Sequence, residues 1–126
     1  MIDDPRMPAM PHPLVTQLRF TRDEFVRGLT GLTDEEACRT PPLEDMWTAW
    51  RAVTRASEPR LDVLTIERLR APMAEGLSSV WTFLRRTTYH YWYHLGEALA
   101  ARQMLGHRNL PDCVGDIDAL APYRPE

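Results

Sequence analysis

The segment Thr87–His107, TTYHYWYHLGEALAARQMLGH, holds the one constellation in this chain with the spacing of a chemical site. At 3.6 residues per helical turn, His90, His94 and Glu97 share one face of a helix. Phe83, Ala101 and Met104 continue that stripe, so the trio is expected to point inward among apolar neighbours. Leaving such groups buried without partners costs roughly 1–3 kcal/mol each, so one another, a second helix, water or a metal ion must satisfy them. An HxxxH pair sets two neutral imidazole nitrogens over one point, where a third group completes an ion's shell. On spacing alone, a histidine pair at i,i+4 in an aromatic helix is more often a hydrogen-bonded core pair than a metal site.

Candidates for a third ligand are Glu97, His12 and the same helix of a second chain. His12 lies in a Pro-interrupted arm, and a histidine there is expected to be solvated. His107 lies about 20 Å along the helix from the pair, at ~1.5 Å per residue, and is expected to face solvent or serve the helix C-terminus. Tyr89, Trp92 and Tyr93 could line a pocket, although aromatic residues at this density also make plain core or interface. Arg85, Arg86 and Arg102 read as a solvated face.

The elements that must position the trio are helices. Residues 1–13, with four prolines, read as an irregular arm. Leu14, Leu18, Phe25 and Leu29, joined by Val15 and Val26, recur at helical spacing over Leu14–Leu29. Thr33 with Glu36 reads as a capping box for a short helix over Asp34–Arg39, stopped by Pro41 and Pro42. A second long helix is expected from Leu43, with Glu44 and Asp45 suiting its positive end. Met46, Trp50, Val53, Leu61 and Leu64 supply its buried side, with Trp47 alongside, and Pro59 kinks or divides it. Thr65–Arg70 reads as a further turn and Ala71–Gly76 as a loop. The last helix is expected from about Leu77 to Leu105, with Gly106 as a left-handed C-cap. Its aromatic residues occupy nearly the whole circumference, which marks a central helix or one shared between two packing partners. Residues 107–126 carry Leu110, Val114, Ile117, Leu120 and Tyr123, enough apolar area to pack back over a bundle. With no alternating strand pattern, the class is all-α, in one domain over residues 1–126.

Composition narrows the function. Of 126 residues, 44% are hydrophobic and 26% charged, ordinary globular values. The net charge of −3 is too acidic for a nucleic-acid footprint, and all fifteen basic residues are arginine. No apolar run approaches the ~18–20 residues of a membrane helix, and the first residues lack the apolar centre of a signal peptide. Cys38 and Cys113 match no metal or redox spacing, consistent with a reduced, cytoplasmic protein.

The string YHYWYHLGEALAARQMLGHRNLPDCVGDI resembles the last helix and tail of DinB/YfiT-like proteins. PPLEDMWTAWRAVT and LRFTRDEFVRGLTGLTDEEA are similar to other segments of that family, in the family's order, from Leu14 onward. The resemblance implies an up-and-down four-helix bundle in which three histidines, one on the second helix and an HxxxH pair on the last, hold a divalent ion, typically zinc, nickel, manganese or iron. His90 and His94 map onto that pair and Glu97 onto the acidic residue after it. Only Cys38, Arg39 and Thr40 stand where the family's second helix would be, so the chain looks like a member lacking that helix, reduced to about three long helices, a short helix and a tail. The family includes thiol-dependent transferases and isomerases.

Two function classes follow. In one, His90 and His94 hold an ion for a transferase or hydrolase acting on a thiol or other small molecule, and Glu97 orients a ligand or moves a proton. In the other, the chain is an inactive helical dimerisation or binding module. A bundle short of one helix leaves an apolar groove, which predicts a homodimer using Trp81, Trp92, Leu95 or Leu99 and the Trp47–Val53 segment.

Overall fold

The computed structural model describes residues 10–37, 42–112 and 114–122. Among them are five helices: α1 (Pro13–Leu29), α2 (Leu43–Asp62), α3 (Ile66–Arg70), α4 (Val80–Met104) and α5 (Ile117–Leu120). The all-α reading holds, the exception being an isolated antiparallel bridge between Pro72 and Ser79.

Each boundary has a local cause. His12 starts α1: its Nδ1 accepts the Leu14 N–H at 3.2 Å, and Pro13, which has no N–H to leave orphaned, takes the first helical position. Beyond α1, Gly31 adopts φ +87°. Thr33 and Glu36 form the expected reciprocal cap, with Glu36 N–H on Thr33 Oγ1 at 3.2 Å and Thr33 N–H on Glu36 Oε2 at 3.0 Å. Residues 34–37 make only a turn, and 38–41, with the rest of the expected short helix and Cys38, lie outside the described residues. Asp34 Oδ1 accepts the Leu43 N–H at 2.6 Å, closing this turn onto the start of α2.

α2 runs through Pro59 undivided. It reaches α1 through long side chains: Arg19 meets Glu58 at 2.7 Å and Asp62 at 2.6 Å, Arg22 meets Glu58 at 3.1 Å, and Phe25 stands edge-on to Trp47. Of its expected buried side, Leu61 is buried and Met46, Trp47 and Trp50 are half-buried. Val53 is 69% exposed, correcting the expectation that it faces inward, because contact with the other helices runs along the Trp50–Ser57–Leu61 line. Thr65 caps α3, whose Leu69 is fully buried.

α4 begins three residues later than expected. Val80 N–H bonds Ala71 O and Met73 N–H bonds Ser78 O, both at 3.0 Å, holding the preceding segment extended, and Ser79 Oγ then accepts the Thr82 N–H at 3.2 Å as N-cap. The helix ends as expected at Gly106, φ +82°, with His107 N–H on Arg102 O at 3.0 Å.

The core is Leu14, Val15 and Leu18 of α1 against Leu61, Leu69 and Leu84, extended by half-buried Leu64, Val80, Trp81 and Tyr91. At the other end α1 and α4 approach so closely that a Cβ on Gly28 would stand 2.1 Å from Leu95 Cδ1. The tail returns over α1, with Gly115 against Glu24 and Arg27 and with Ala121 buried. Leu120 is 62% exposed, and Tyr123 lies outside the described residues. No helix among the described residues is long and apolar enough to cross a membrane.

Candidate functional site

α4 buries one stripe, Leu84, Thr88, Leu95 and Arg102, and α1 is what covers most of it. His90, His94 and Glu97 lie on the far side of the helix, roughly 80–160° round from that stripe at ~100° per residue, and all three are exposed. The expectation that they point inward is therefore corrected: the stripe they share with Phe83, 47% exposed, and Met104, 89% exposed, is the helix's open face. A helix with apolar residues on every side offers no periodic signal to say which side is covered, and here its partner lies against the other one.

The three side chains nevertheless touch one another. His94 Nδ1 lies 2.9 Å from Glu97 Oε2, and His94 Nε2 lies 3.1 Å from His90 Nε2, with the two rings nearly perpendicular at 88°. An ionised carboxylate only accepts, so the proton on His94 sits at Nδ1 and its Nε2 presents a lone pair. In the neutral, ion-free pair the proton between the rings then belongs to His90 Nε2. Two imidazole nitrogens bound tetrahedrally at ~2.0–2.1 Å to one ion stand about 3.3 Å apart, a few tenths of an ångström from the separation here. Glu97 occupies the place of the carboxylate that fixes the tautomer of a ligating histidine. Tyr93, whose ring stands 5.3 Å from that of His94, has its phenol pKa raised by a hydrogen bond to Glu97 and by that residue's charge.

Among the described residues no third His, Cys, Asp or Glu joins the pair in a cluster fit to hold an ion. Glu97 faces the Nδ1 side of His94, away from the point shared by the two Nε2 atoms. His12 is spent on capping α1 and stands edge-on to Trp81, half a turn round α4 from His90, so it is not at the site. Of the aromatic candidates, Tyr89 and Tyr93 are exposed, Tyr89 bonding Arg85 at 3.1 Å, while Trp92 packs on Phe20.

A second polar group went unread in the sequence. Arg102 is buried, correcting the solvated-face reading: it donates to Gly28 O at 2.6 Å and to His107 Nδ1 at 3.0 Å. His107 Nε2 meets Glu36 Oε1 at 2.5 Å, so His107 is a partly buried link between α4 and the 33–37 turn, not a solvent-facing group. Arg102 stands seven residues beyond Leu95, and that spacing was the available signal.

No protein-family model, curated protein or solved structure matches this chain.

Proposed function

We propose that this chain is a divalent-metal-binding helical protein of the DinB/YfiT-like kind, with His90 and His94 as ligands through Nε2 and Glu97 holding His94 in the ligating tautomer. The observation that carries this reading is the approach of the two Nε2 atoms to 3.1 Å with a carboxylate on the outer nitrogen of His94. The order of the three resembling segments supports it. These residues fit two positions of an ion's shell; the others are left to groups beyond the described residues, such as water, a thiol or a second protein. A bound ion would supply Lewis acidity toward a thiol or water, the chemistry of a transferase or hydrolase. The residues' own part is to bind and orient: Glu97 keeps the His94 proton on Nδ1, leaving its Nε2 lone pair free, and His90 would offer its Nε2 once its own proton moves to Nδ1.

A purely assembling module is the second reading, favoured by the open apolar face of α4 that carries Phe83 and Met104. Metal analysis of untagged protein, beside a His90→Ala/His94→Ala variant, separates the two. Bound zinc, nickel, manganese or iron that is lost in the variant supports the ligand reading; a metal content identical in both proteins removes it.

A further inference from the structure

The exposed face of α4 is self-complementary about the level of Trp92. His90 and His94 stand two residues either side of that level, and Phe83 and Ala101 stand nine residues either side. Arg86 stands six residues before it and Glu97 five after. All six lie within roughly 80° of one another at ~100° per residue, on the side of the helix opposite its buried stripe, and all six are exposed. When two copies of such a helix run antiparallel about a two-fold axis, residues equally far before and after the axis meet across it. His90 of one copy then faces His94 of the other, the large Phe83 lies over the small Ala101, and Arg86 lies near a carboxylate of opposite charge. A match of size, charge and ligand type at one register is what an isologous two-fold contact requires.

Resting on the metal-binding reading, we propose that the missing ligands come from a second copy of this chain. One divalent ion on the two-fold axis is held by His90 and His94 of each copy, a four-imidazole tetrahedral set, and the antiparallel α4 pair forms the dimer contact around it. The inference accounts for three features together: two nitrogens 3.1 Å apart with no third ligand among the described residues, their solvent-facing position, and the apolar residues exposed beside them. Zinc suits it best, because four neutral imidazoles at ~2.0–2.1 Å satisfy its tetrahedral preference without anionic ligands. The contact differs from the one expected from sequence, because Leu95 and Trp92 are already engaged with α1.

The test is equilibrium dialysis against zinc at micromolar protein, with light scattering on the same samples. The proposal expects half an ion per chain and a zinc-dependent rise in mass from 14.6 kDa to twice that value. Ala101→Arg, a substitution at an exposed position, should block the rise by placing bulk and charge against Phe83 of the other copy, with the helical circular dichroism unchanged. One ion per chain at the mass of a single chain overturns the shared site and leaves the two-histidine reading standing. No zinc retained at this concentration overturns the shared zinc site, and no retention of nickel, manganese or iron in the same dialysis overturns the two-histidine reading with it. Zinc-dependent doubling that persists unchanged in Ala101→Arg overturns the antiparallel register.

Discussion

On the proposed reading, Glu97 is what prepares the histidine pair to bind. Its carboxylate holds the His94 proton on Nδ1, so the lone pair needed by an ion is present before the ion arrives. Replacing it with alanine frees the tautomer and ring orientation without removing a ligand. Glu97→Ala is expected to weaken zinc binding about 10–100-fold, measured by competition with a chromophoric chelator; unchanged affinity would show that the carboxylate has no part in the site. Glu36 presents a different case. Its pKa is lowered by the Thr33 backbone N–H and then by His107. A carboxyl held below its unfolded value of ~4.3 contributes stability that is fully present above that pH and is lost as pH falls through the lower folded value. The urea midpoint should therefore drop less between pH 6 and pH 3 in Glu36→Gln than in the parent chain. Equal drops would show that the cap and the His107 link add nothing to acid stability.

At the scale of the elements, α1 and α4 form the closest helix pair among the described residues, and Gly28 permits it. The absent Cβ is the space that Leu95 fills, so a branched side chain there must displace the Leu95 methyl group. Gly28→Val is expected to cost about 1–3 kcal/mol in chemical denaturation, and a Leu95→Ala background should recover part of the loss. Full additivity of the two changes would contradict the contact. The start of α2 and the end of α4 were legible because they rest on local chemistry: Gly106 and the acids after Leu43 act within a few residues, and Thr33 with Glu36 makes its reciprocal cap although a turn, not a helix, follows among the described residues. The start of α4 was misplaced because its cause is a bridge from Ala71 and Met73, which no local pattern announces. The spacing of His90, His94 and Glu97 was legible for the same local reason, since a helix alone brings them together. Their burial was not. Which side of an all-round apolar helix is covered depends on where α1 packs, and the better signal lay in Arg102 and Leu95 sharing a stripe with Leu84 and Thr88.

On the scale of the whole molecule, three long helices leave one broad side of α4 uncovered among the described residues, and the histidines stand on it. On the proposed reading that placement would join assembly to ion binding, because whatever covers this face would also enclose the pair. The central claim, that His90 and His94 are ligands, is tested most directly by long-range proton–nitrogen NMR spectra of the imidazole rings during a zinc titration. The account predicts that both Nε2 resonances move to metal-bound positions together, while His94 keeps its proton on Nδ1 and His12 and His107 stay where they were. Zinc that shifts all four histidines alike, or shifts neither His90 nor His94, would contradict it.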